Sequence, residues 1–96
     1  MRGINWSVAA RRDFRDQIEW LSDRNTAAAG RVADAIEGSI VLLRQMPRMG
    51  RVGRVAGTRE LVVPRTPYIV VYRLEGEQDQ IIVVRILHTS RKWPPG

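Results

Sequence analysis

The spacing of apolar side chains changes character once along this chain, between residues 46 and 57, and that change constrains the fold more than any other feature. Before it, Val8 to about Arg24 runs without glycine or proline, and Phe14, Ile18 and Leu21 recur at i, i+4 and i+7, one face of a helix. Arg12, Asp13, Arg15 and Asp16 fall on the other faces and read, with Glu19, as a solvated surface. Asn25-Thr26 breaks the pattern, and Thr26 is placed to cap a second helix from about Ala27 to Gln45, on which Val32, Ile36, Ile40 and Leu43 repeat. So short a break predicts an antiparallel helical hairpin, because each helix can then bury its stripe against the other. Residues 3–6 read as a short first strand, and Ser7 as the cap of the first helix.

Pro47 cannot continue a helix, and glycines at 50, 53 and 57 mark loop backbone over residues 46–57. Beyond that point the pattern is extended. Arg59 to Val63, Tyr68 to Leu74 and Gln80 to Leu87 are rich in Val, Ile and Tyr, and turn residues bound each of them. Their short connections predict an antiparallel meander of three strands. Helices followed by strands give an α+β class, an N-terminal helical hairpin packed on a small antiparallel β-sheet. Residues 1–96 form a single domain in this reading, with an irregular tail from His88 to Gly96 and with Tyr68 and Tyr72 in the core.

Several chemistries are excluded. With no cysteine and one histidine, His88, there is no thiolate nucleophile and no two-histidine metal site, so no metal and no cofactor is expected. The glycines at 50, 53 and 57 match neither a P-loop nor a dinucleotide fingerprint. The apolar runs are far shorter than the ~20 residues needed to cross a bilayer, and the N-terminus has no apolar export region, so a cytoplasmic protein with no membrane partner is expected.

Charge is the informative part of the composition. Residues 44–65 hold six arginines, at 44, 48, 51, 54, 59 and 65, against Glu60 alone, which accounts for five of the chain's net charge of +6. Such a local field attracts nucleic acid, an acidic protein segment or phosphate. The candidate partner-binding residues are therefore Arg51, Arg54, Arg59 and Arg65, with Arg73, Arg91, Lys92 and Trp93 further along. One reaction could run on such groups: RNA cleavage by 2′-hydroxyl attack, with arginines stabilising the phosphorane and His88 or Tyr68 moving a proton.

Four segments appear in order: Gly-Arg at 50–51, Gly-Thr-Arg-Glu-Leu-Val-Val at 57–63, Pro-Tyr-Ile-Val-Val-Tyr-Arg at 67–73 and Ile-Leu-His-Thr-Ser-Arg-Lys-Trp-Pro at 86–94. With the helical hairpin before them, the chain resembles the RelE/ParE toxin superfamily over essentially its whole length. The resemblance implies a toxin of a type II toxin–antitoxin system, causing growth arrest and neutralised by a cognate antitoxin. That antitoxin, ParD-like or of another type, would wrap the toxin with an acidic, largely disordered segment and carry the only contact with operator DNA. RelE-type toxins cut messenger RNA on the ribosome with cations on the central strands. The corresponding positions here are Glu60, Val62 and Ile69. The resemblance therefore leans to the ParE branch, whose toxins lack the nuclease set and inhibit DNA gyrase. On the alternative, a RelE-like endoribonuclease, the catalytic residues would be Arg91, His88 and Arg59.

Overall fold

The computed structural model describes residues 3–95. Strand β1 (Ile4–Trp6) leads into helices α1 (Val8–Arg24) and α2 (Thr26–Leu42), followed by strands β2 (Arg51–Val52), β3 (Arg59–Val62), β4 (Tyr68–Glu75) and β5 (Gln80–His88). The five strands lie in the order β1-β5-β4-β3-β2. The three long strands form the expected antiparallel meander, but β1 pairs parallel with β5, Ile4 opposite Ile81, so the sheet is mixed. Within the expected loop, Arg51 and Val52 form a two-residue strand along β3.

Local chemistry sets the helix ends. Ser7 caps α1 as expected, its Oγ accepting from the Ala10 N–H at 2.9 Å. Asn25, not Thr26, caps α2: its side chain accepts from the Ala28 N–H at 3.0 Å while its own N–H closes α1 on Leu21 O at 2.7 Å. One residue thus ends one helix and starts the next, which makes the hairpin tight. Helix α2 stops at Leu42, short of Gln45, as residues 43–45 tighten into i→i+3 turns.

Ile36, Ile40 and Leu43 from the hairpin meet Val63, Tyr68, Val70, Tyr72, Ile81, Val83 and Ile86 from the sheet in one buried core, with Phe14 and Leu21 packed against it. The opposite sheet face buries a second, smaller cluster, Ile69, Val71 and Leu87, against which Val84 and Trp93 pack. A bulge joins these patterns. Val71 pairs with Arg85 but Tyr72 with Val83, leaving Val84 as the extra residue. That slip inverts the facing of β5, so Val83 and Ile86 both serve the helix side although three positions apart. No helix among the described residues is long and apolar enough to cross a membrane. Gly96, the end of the tail expected to be irregular, lies outside the described residues, as do Met1 and Arg2.

Candidate interaction face

Glu60 sits on β3 opposite Val71 of the smaller cluster and Arg51 of β2, which places it on the sheet face away from the helices. Its side chain is 0% accessible. A carboxylate so placed must be fully hydrogen-bonded to stay charged, and four donors converge on it. Arg54 donates from its backbone N–H at 2.9 Å and its Nε at 3.2 Å to Oε2, and from Nη2 to Oε1 at 2.9 Å. Arg51 Nη2 reaches Oε1 at 3.1 Å. The Arg54 guanidinium, helped by the other donors, holds this carboxyl down at about 2 against the opposing effect of burial. Glu60, the lone acid of the basic stretch, is thus the anchor on which the β2–β3 hairpin closes. Its isolation among arginines was the one sequence signal of that role.

Residues 47–50 and Arg59 are tied down as well. The buried Tyr72 hydroxyl accepts from the Gly50 N–H at 2.9 Å and donates to Pro47 O at 2.7 Å. Arg59 donates to Gly50 O at 2.8 Å, and Arg48 holds Asp79 at 2.7 Å. Arg51 and Arg54 therefore spend charge on Glu60, and Arg59 on backbone carbonyls. Arg65 stands apart, exposed in the β3–β4 turn at φ 61°. Arg73 pairs with Glu75 at 2.6 Å.

The proton-moving candidates lie elsewhere. His88 pairs across the strands with Tyr68, their rings edge to face at 5.4 Å, and its Nδ1 accepts from the Ser90 N–H at 3.1 Å. Tyr68 donates its hydroxyl proton to Gln17 at 3.3 Å, and burial pushes its pKa up, so it stays protonated at neutral pH. Arg59 lies opposite Tyr72, whereas His88 lies opposite Tyr68. Four residues of strand separate those positions, about 13 Å at ~3.3 Å per residue. Arg91 N–H bonds His88 O at 2.9 Å, a backbone turn between residues three apart that leaves their side chains unconnected, and Arg59 lies well along the sheet from His88.

Glu60, Val62 and Ile69 are neighbours on the open face. Val62 is exposed opposite Ile69, and Ile69 is buried in the cluster that Trp93 covers. Arg91 and Lys92 are exposed beside Trp93. On this face the carboxylate is buried and ion-paired, the apolar cluster is buried under Trp93 with Val62 exposed beside it, and Arg91 and Lys92 add a basic tail.

Sequence reasoning missed one pair entirely. Asp13, read as surface, accepts from Arg85 Nε at 2.6 Å and Nη2 at 2.9 Å and from the Ile86 N–H at 3.0 Å. The pairing of β1 with β5 ends at Trp6 opposite Val83, so the next edge groups of β5 need partners. Ser7 Oγ takes Val84 O and Asp13 takes Ile86 N–H, sealing that edge with α1. Among the described residues, no group of three or more His, Cys, Asp or Glu side chains is placed to hold a metal ion.

Residues 4–93 match the model of a family described as the ParE toxin of the type II toxin–antitoxin system, parDE. Toxin RelE1 of Caulobacter vibrioides is 39% identical over 85 residues, covering 85% of this chain and 87% of that protein. The protein Y4kP of Sinorhizobium fredii is 31% identical over 91 residues, covering 95% and 92%. In fold, the chain superposes with a TM-score of 0.81 on a chain of the chromosomal ParDE system from P. aeruginosa, at 23% identity, over 92% of this chain and 96% of that one.

Proposed function

The chain belongs to the ParE toxin family of type II toxin–antitoxin systems, and from that premise we propose that it arrests growth by binding and inhibiting DNA gyrase, with no chemistry of its own. The observation that carries this reading is the state of the open sheet face. Cleavage through a phosphorane needs cations preorganised around the developing charge. At the strand positions concerned, this chain has Glu60, sunk and holding Arg51 and Arg54, with Val62 and Ile69 beside it. Arg59 is engaged with Gly50 O, far along the sheet from His88. An exposed Val62 and a half-buried Trp93, rimmed by Arg73 and Arg91, are suited to grip another protein, where aromatic and arginine side chains supply anchoring. Arg73, Arg91, Lys92 and Trp93 are the residues proposed for that contact, and a cognate antitoxin is the proposed neutralising partner.

A second reading, ribosome-dependent cleavage of messenger RNA, has one observation in its favour: the 39% identical relative is named RelE1. Purified toxin added to ribosomes programmed with messenger RNA separates the two. The proposed function predicts intact RNA. Cleavage that disappears in both the Arg91→Ala and His88→Ala variants would establish the second reading instead.

A further inference from the structure

On α1, Asp16 and Trp20 are four residues apart, as are Gln17 and Leu21, so the two pairs form adjacent rows on one side of the helix. These rows line a cavity of about 520 Å³ whose far side is the start of β4 at Tyr68 and the end of β5 at His88. That volume is in the range of small-molecule sites and far above what single waters fill. Leu21 and Val32 supply apolar wall.

Trp20 is 53% exposed, which leaves a large aromatic side chain outside the core. It is nonetheless held in place. Arg24 Nη1 donates to Trp20 O at 2.8 Å, and the guanidinium carbon lies 3.7 Å from the centre of the indole. A ring fixed in this way loses little freedom when a ligand packs against it.

The charge of the lining is opposite to that of the molecule. In a chain of net +6, the cavity is lined by one carboxylate, Asp16, and by no arginine or lysine. Arg15 reaches Asp16 Oδ1 at 3.4 Å with both side chains at least 60% exposed, a pair too open to hold the carboxylate firmly. Gln17 Oε1 accepts from the Tyr68 hydroxyl at 3.3 Å and keeps a second lone pair. A carboxylate and a carbonyl oxygen beside an indole and apolar walls are complementary to a cation with an apolar body.

We propose that this cavity binds a small arylalkylammonium ligand. Its ring packs against Trp20, Leu21 and Val32, and its ammonium group donates to Asp16 and Gln17. Charge selects that class. An anion would bring like charge to Asp16, and a neutral aromatic would give the carboxylate no cation to pair with. The cavity adjoins the helices, on the other face of the sheet from Glu60, so its occupancy does not depend on whether gyrase or the ribosome is the target.

Three probes with one ring and different charge test the proposal on the wild-type protein: phenethylamine, phenethyl alcohol and phenylacetate. Each is titrated into nitrogen-labelled protein, and the indole N–H resonances of Trp6, Trp20 and Trp93 are followed by NMR. Phenethylamine is expected to shift the Trp20 resonance and leave those of Trp6 and Trp93 in place. The alcohol should bind at least about tenfold more weakly than the amine, as loss of a charged hydrogen bond requires, and phenylacetate not at all. Calorimetry on Asp16→Asn should show a similar tenfold loss for the amine, and Trp20→Ala should abolish binding. Both sites are exposed, so the variants keep the fold. A Trp20 resonance unmoved by a large excess of phenethylamine would overturn the proposal. So would equal binding of the amine and the alcohol, or unaltered amine affinity in Asp16→Asn.

Discussion

Replacing Glu60 by glutamine keeps the side chain's shape and removes its charge, which isolates what the buried carboxylate does. In the fold its pKa is lowered from 4.5 to about 2. At about 1.4 kcal/mol per pKa unit, that displacement corresponds to about 3 kcal/mol favouring the charged form in the native state. A neutral amide forfeits it and also turns an N–H₂ group toward guanidinium donors that have nothing to accept. Glu60→Gln is therefore expected to lose about 3 kcal/mol at neutral pH, a large share of the ~5–15 kcal/mol of a small domain yet compatible with folding. The pH dependence gives the sharper signature. Because the native pKa is depressed, the wild-type advantage is fully present above pH 4.5 and disappears as pH falls toward 2. Urea unfolding, followed by tryptophan fluorescence near neutral pH and again close to pH 2, reads both quantities. Equal stability at neutral pH, or a gap between variant and wild type that persists undiminished near pH 2, would refute the reasoning.

Three other substitutions probe the same framework. In Gly50→Ala, the new methyl would stand 2.7 Å from the ring and hydroxyl of the buried Tyr72. A loss of about 1–3 kcal/mol in the free energy of urea unfolding is expected, and a smaller one in a Tyr72→Phe background, where the hydroxyl is gone. Asp13→Asn breaks a nearly buried charge pair with Arg85, and thermal unfolding should show a loss of about 3 kcal/mol. Trp93→Ala uncovers Ile69, Val71 and Leu87, so the folded variant is expected to bind an apolar dye that the wild type does not.

The helices and long strands were legible in the sequence because each buries a local, periodic stripe: Val32, Ile36 and Ile40 on α2 with Leu43 at its C-cap, and the Val- and Ile-rich runs of β4 and β5. What was illegible depends on partners distant in sequence. A three-residue strand such as Ile4–Trp6 has no pattern that reports its direction, and only its pairing with Ile81–Val83 makes it parallel. The bulge at Val84 comes from the pairing of β4 with β5, which no single-strand period reveals. Asn25 and Thr26 are both competent caps, and the choice was decided by Asn25 closing α1 as well. At the interaction face the sequence located the basic stretch but not its internal accounting. Charge counting treats Arg51, Arg54 and Arg65 alike, whereas burial of Glu60 claims the first two, and the left-handed turn aims the third at a different surface.

The most direct test of the proposed function is DNA supercoiling by purified gyrase as this toxin is titrated in, with the antitoxin-bound toxin as control. Free toxin is expected to inhibit supercoiling in a dose-dependent way, and antitoxin to restore it. Supercoiling unchanged at a toxin excess, from a preparation that arrests growth when expressed, would contradict it and leave the open face of the sheet to another target.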